Sequence, residues 1–259
     1  MSEWRRLSGP LAGWARGDGP RLVFVHGFTQ TSNSWKRIAT HLAEEGYESV
    51  VVDAPAHGES TDVRVGLPEG AELLTALCGP AVYIGYSMGG RLCLHAAIAQ
   101  PHVVRGLALI GASPGIADDV ERAARRGADD RLANHIEDVD VDAFLDEWLA
   151  QPLFAGLSVD AEQRTDRLRN SAAGLASSLR LAGSGVQESL WSHLAALTMP
   201  VLTVAGELDE KYAAIGRAIA AAVPGGDFAV IAGAGHAAHL QSPDLVLDAL
   251  RRWLPAIGW

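Results

Sequence analysis

Cysteine is scarce in this chain, two residues in 259. Cys78 and Cys93 can build neither a disulfide framework nor a cysteine-rich metal site, which points to a reducing, cytoplasmic setting. Lysine is as rare: only Lys36 and Lys211 occur, and the other cations are arginines. No basic block is present, and the net charge is −10, so the chain repels phosphate backbones and nucleic acid is excluded as an expected partner. Long apolar runs are missing too. None reaches the ~18 residues of a membrane span, and Arg5-Arg6 precede no apolar stretch, so they read as solvated rather than as an export signal. With 48% hydrophobic residues, disorder is excluded as well. A folded domain remains, whose negative charge stands against binding an anionic substrate.

What is present is alternation. Short apolar runs at Arg21–Val25, Ser49–Val52, Ala81–Gly85, Val104–Ile110, Val201–Gly206 and Asp227–Ile231 are separated by helical patterns. Strands buried on both faces read this way, so the expectation is α/β, a mostly parallel sheet flanked by helices. Trp35, Ile38, Ala39 and Leu42 share one helix face, as do Tyr212, Ile215, Ile219 and Ala222. A last helix starts with Ser242 as cap and Pro243 in its first turn, with Leu245, Ala249, Leu250 and Trp253 as its stripe.

The alternation fails between Ser113 and Leu190, which read as helical pieces carrying eight arginines against fifteen acids. Phe144, Leu145, Trp148, Leu149, Leu153 and Phe154 are too apolar to leave in water. The segment is therefore expected to be a folded helical lid. Residues 1–112 form the first part of the core, 113–190 the lid and 191–259 the second part of the core.

The chemistry centres on Gly85-Tyr86-Ser87-Met88-Gly89, placed between an apolar run and a helical pattern. G-x-S-x-G in a strand-turn-helix context makes a nucleophile elbow, which defines an α/β-hydrolase fold. A serine hydroxyl is inert near neutral pH without a base, and on this fold the chain order is Ser, acid, His. Asp209, after Val201–Gly206, and His236, after Asp227–Ile231, satisfy that order. Glu207 and Glu210 compete with Asp209, and His239 competes with His236 or pairs with it as a metal ligand, though no third ligand accompanies them. His26 and His57 read as structural hydrogen-bonding residues. An oxyanion hole would use the N–H of Met88 and, from His26-Gly27-Phe28-Thr29, that of Phe28.

These pieces also resemble a family. His26-Gly27-Phe28-Thr29 with Trp35, Gly85 to Arg91, Ser113-Pro114-Gly115-Ile116, Trp148 to Phe154, Gly183 to Gln187 leading to Trp191, Gly206 to Tyr212, and Gly235-His236 with His239 are similar to the 2-succinyl-6-hydroxy-2,4-cyclohexadiene-1-carboxylate synthases of menaquinone biosynthesis, the MenH type. Two positions depart from the pattern: Ala56 where glycine is usual and Glu188 where proline is common. The resemblance implies a lyase without cofactor or metal, which eliminates pyruvate from 2-succinyl-5-enolpyruvyl-6-hydroxy-3-cyclohexene-1-carboxylate. Ser87, primed by His236 and Asp209, would remove a proton while the oxyanion hole holds the enolate.

A multiply anionic small substrate needs fixed cations, and arginine supplies bidentate donors for carboxylates. Arg91 lies one helical turn past Ser87 on the same face. Counting back from Trp148 to the matching family position selects Arg125, with Arg122 one turn earlier, while Arg126 faces solvent. Arg125 and Arg122 also read as ordinary surface residues, Trp148 as either pocket wall or lid core, and Tyr86 as either substrate contact or elbow support. A serine hydrolase of small carboxylated substrates is the competing reading. A non-catalytic ligand receptor on the same fold is a third, disfavoured by a complete Ser-His-Asp set. The acidity is concentrated in the lid, net −7, so these arginines would make a local positive pocket within a negative surface.

Overall fold

The computed structural model describes residues 3–259. In chain order its elements are β1 (Arg5–Arg6), β2 (Gly13–Arg16), β3 (Arg21–Val25), α1 (Lys36–Glu44), β4 (Glu48–Val52), α2 (Leu67–Cys78), β5 (Ala81–Tyr86), α3 (Met88–Ala99) and β6 (Val104–Ile110). There follow α4 (Asp119–Asp138), α5 (Val141–Leu149), α6 (Ala161–Arg167), α7 (Ala172–Ala182), β7 (Val201–Gly206), α8 (Glu210–Ala222), β8 (Asp227–Ile231), α9 (Ala238–Gln241) and α10 (Pro243–Trp253). The sheet order is β1-β2-β4-β3-β5-β6-β7-β8, parallel from β4 to β8 with β1 and β2 antiparallel at one edge.

Alternate strand residues feed opposite layers, as a period of two requires. Val23, Val25, Tyr83, Leu107 and Leu109 pack with α2 and α3 on one face. Leu22, Phe24, Ile84, Ala108 and Ile110 pack on the other with Trp35, Ile38 and Leu42 of the α1 region and Leu250 and Trp253 of α10. Burial on both faces explains the continuous apolar runs in the sequence.

The six expected strands are present within a residue at each end; β4 begins at Glu48 and β5 ends at Tyr86. β1 and β2 were not legible as strands. Arg5 and Arg6 are exposed and paired with Glu48 and Glu59, so this edge carries charge where a core strand carries an apolar run. In α10, Ser242 makes no side-chain cap, and Leu245 is exposed while Val246 and Leu247 fill the buried stripe.

Between β6 and β7 the chain runs through α4 to α7 without a strand. These helices share a core of Ala133, Ile136, Phe144, Leu175, Ala176 and Leu179, with Phe28 and Trp148 packed against it. Among the described residues no helix is long and apolar enough to cross a membrane.

Candidate active site

Ser87 sits between the last residue of β5 and the first of α3, at φ 50° and ψ −109°. A non-glycine residue pays a steric cost at positive φ, and its persistence at a functional turn is the strain of a nucleophile elbow. The flanking glycines make the turn sterically feasible. A Cβ on Gly89 would lie 2.3 Å from the Val25 carbonyl oxygen, and one on Gly85 2.4 Å from that of Gly89.

His236 and Asp209 arrive from the loops that follow β8 and β7. The Ser87 Oγ to His236 Nε2 distance is 3.3 Å, and His236 Nδ1 lies 2.6 Å from Asp209 Oδ2. Both members of the second pair are buried. Of the competing acids, Glu207 accepts from the exposed Gly233 N–H and Glu210 opens α8, so neither reaches the imidazole. His239 does not pair with His236 as a ligand. Its ring lies between Tyr86 and Trp35, centroids 4.2 and 4.6 Å away, with no hydrogen-bond partner for either nitrogen, and burial pushes its pKa well below the usual histidine value. Among the described residues no group of three or more His, Cys, Asp or Glu side chains converges as metal ligands would. His26 accepts from Ala54 N–H at Nε2 and pairs Nδ1 with the Gly27 carbonyl, the arrangement of a neutral structural histidine.

Phe28 and Met88 both line the pocket over Ser87. Among the described residues neither backbone N–H donates to a protein acceptor, so both are free to receive a developing oxyanion. Tyr86 and Trp148 both lie on the pocket wall. The Tyr86 ring lies 5.3 Å from that of His236, while Trp148 packs against the core shared by α4, α5 and α7, 5.1 Å from the Phe28 ring.

The arginines divide. Arg91 and Arg125 are on the pocket wall. Arg91 donates from one terminal nitrogen to the Ala182 carbonyl and to Gln187 Oε1, and burial lowers its pKa to about 10, which leaves it charged near neutrality. Arg125 donates to Asp129 Oδ1 at 2.7 Å. Arg122 is a correction: it turns to the Ile116 carbonyl and to Asp119 at the start of its own helix, and is not part of the wall. Arg126 is exposed. Tyr212 and Phe154, not singled out from sequence as pocket residues, also line it; their rings lie 4.5 and 6.3 Å from that of His236. The position of Tyr212 three residues past Asp209, in the first turn of α8, was the signal available for it.

A Ser-His-Asp arrangement whose His–Asp pair is buried, set on an elbow after the third strand of a parallel sheet, is that of an enzyme of the α/β-hydrolase type. The chain belongs to the alpha/beta hydrolase family, whose model matches residues 22–249. It is similar to the putative 2-succinyl-6-hydroxy-2,4-cyclohexadiene-1-carboxylate synthase of Bacillus subtilis, 34% identical over 91% of this chain and 90% of that one. It is also similar to the Escherichia coli enzyme of that name, 32% identical over 91% and 94% respectively. The solved structure of MenH from S. aureus superposes with a TM-score of 0.88 at 27% identity, covering 94% of this chain and 98% of that one.

Proposed function

We propose that the protein is a 2-succinyl-6-hydroxy-2,4-cyclohexadiene-1-carboxylate synthase, a lyase of menaquinone biosynthesis. The observation that carries this reading is the pairing, in one pocket, of the Ser87 relay with Arg91, a part-buried cation held only by neutral oxygens. A simple esterase pocket has no need of a partly desolvated guanidinium without an acidic partner, whereas a substrate bearing several carboxylates does.

In this mechanism Ser87 Oγ, made basic by His236 and oriented through Asp209, removes the proton adjacent to the succinyl ketone. The C–H electron pair forms an enolate, whose oxygen takes the N–H groups of Phe28 and Met88. Collapse of the enolate restores the ketone and forms a C2=C3 double bond, the existing C3=C4 double bond shifts to C4=C5, and the C5–O bond to the enolpyruvyl oxygen breaks to leave the 2,4-diene. The proton passes through His236 to the departing enolpyruvate, which tautomerises to pyruvate. No cofactor enters. Arg91 and Arg125 hold carboxylates of the substrate, and Tyr86 and Trp148 wall the ring. Residues 113–190 act as the lid between the core segments 1–112 and 191–259.

The two buried free cysteines fit a cytoplasmic setting, and the net charge of −10 disfavours nucleic acid as a partner. The test is to supply the enolpyruvyl precursor and follow pyruvate release beside a panel of simple esters. Pyruvate release with poor ester turnover is expected. Fast ester hydrolysis without pyruvate would establish a serine hydrolase instead.

A further inference from the structure

The connection from Ala182 at the end of α7 to Gln187 touches both pocket arginines, in two different ways. Arg125 is held by a carboxylate: Asp129 takes its Nε–H on one oxygen and, on the other, the Gly185 N–H at 3.1 Å. Arg91 is held by neutral oxygens, the Ala182 carbonyl at 2.8 Å and Gln187 Oε1 at 3.1 Å, and among the described residues it makes no ion pair. Gln187 is 3% exposed, and its Nε2 is buried without a partner.

A buried amide with an unpartnered NH2 is a cost to the fold. Turning the amide over would set that NH2 against the guanidinium, so Arg91 fixes Oε1 toward itself. A glutamate would bind Arg91 more tightly yet cancel its charge. An apolar residue would spare the unpartnered donor yet leave the guanidinium one acceptor short. Glutamine alone among these choices orients the cation and leaves it charged.

We propose that Gln187 is a positioning residue, which with the Ala182 carbonyl aims an uncompensated Arg91 into the pocket and so sets the preference for a carboxylate beside Ser87. The proposal deepens the lyase reading and rests on it for the identity of the substrate. Arg91 is the full positive charge of the pocket, whereas the charge of Arg125 is offset by Asp129.

The test uses Gln187→Glu and Gln187→Met in the full chain, with two independent readouts. Phenylmethylsulfonyl fluoride, a neutral reagent, sulfonylates an activated serine, and its rate on Ser87 followed by intact mass reports the relay without involving Arg91. Succinate, a dianion, should protect Ser87 from it. In both variants the labelling rate is expected to stay within about twofold of wild type, while the succinate concentration for half-protection rises about tenfold or more, most in Gln187→Glu. In turnover, KM for the enolpyruvyl substrate should rise with kcat much less affected.

Equal protection in wild type and Gln187→Glu overturns the proposal. Labelling slowed in parallel with protection would make Gln187 merely structural, and a wild type that succinate fails to protect would deny the pocket its free charge. A protein that succinate protects but that releases no pyruvate refutes the lyase reading while leaving the Gln187 assignment intact.

Discussion

One carboxylate of Asp209 serves two partners: Oδ2 meets His236 Nδ1 at 2.6 Å, and Oδ1 accepts the Tyr212 N–H at 3.3 Å as the cap of α8. The helix thus fixes the rotamer that orients the imidazole. Asp209→Asn retains the cap, because its amide oxygen can still accept from Tyr212. It loses the anion that selects the Nδ1–H tautomer, so kcat should fall by about four orders of magnitude with little change in melting temperature. Glu207→Gln and Glu210→Gln should leave kcat near wild type. A comparable loss in Glu207→Gln would move the acid role away from Asp209.

The contrasting partners of the arginines predict unequal costs. Arg91→Ala removes a charge held by neutral oxygens, and kcat/KM for the anionic substrate should fall by about 10- to 100-fold. Arg125→Ala also strips the buried Asp129 of a donor, so stability should drop by about 1–3 kcal/mol as activity falls. Arg125→Ala combined with Asp129→Asn should recover the stability and not the activity. Arg122→Ala, off the pocket wall, should leave kcat/KM near wild type. Chemical denaturation and steady-state kinetics on the four variants separate these outcomes.

The strands and the relay were legible because each rests on local physics. Doubly buried strands need continuous apolar runs, and a nucleophile elbow needs small residues at fixed offsets. β1 escaped because an edge strand pairs without an apolar run and Arg5 and Arg6 carry solvent-facing charge, and β2, paired on both sides, because its four residues Gly13–Arg16 hold no apolar run. Arg122 misled because an i,i+3 spacing puts residues on neighbouring positions of a helix without saying which carbonyl or acid lies at its end. Asp119 and the Ile116 carbonyl take it before the pocket does. The role of Asp129 depends on a contact with Gly185 56 residues away, which no spacing rule reports.

Buried histidines give the protein an acid limit. His57 is fully buried and its pKa is pushed down to about 3 by loss of solvation, with His26 lowering it further; His26 and His239 are themselves lowered by burial. The unfolded chain protonates these groups near 6.5, so below that pH it binds protons that the folded state refuses. Stability is then full above about pH 6.5 and lost progressively as pH falls toward the folded values, by up to about 1.4 kcal/mol per pH unit for each histidine. Urea midpoints between pH 7.5 and 5 should decline, and less so in His57→Asn. A flat profile would show that these imidazoles are solvated.

Ala56 occupies φ +65°, in the left-handed region where a Cβ meets the adjacent backbone. It is the position at which the sequence departs from the glycine usual in the similar family. Its backbone is tied down: Ala56 N–H donates to the Ser60 carbonyl, and His57 N–H to that of Ala54. The neighbouring Asp53 carboxylate accepts from the N–H groups of Ser32 and Glu59. The turn therefore cannot relax to negative φ without breaking this network, and the strain is retained in the folded state. Ala56→Gly should remove about 1–2 kcal/mol of it, less about 0.4–1 kcal/mol for the greater freedom of glycine in the unfolded chain. A net gain of up to about 1.5 kcal/mol should raise the melting temperature by a few degrees, with kcat unchanged because Ala56 does not line the pocket. Ala56→Val adds branching at the same φ and should destabilise more than any surface substitution nearby. If glycine lowered the melting temperature, the methyl packing of Ala56 in its buried turn would outweigh the backbone cost.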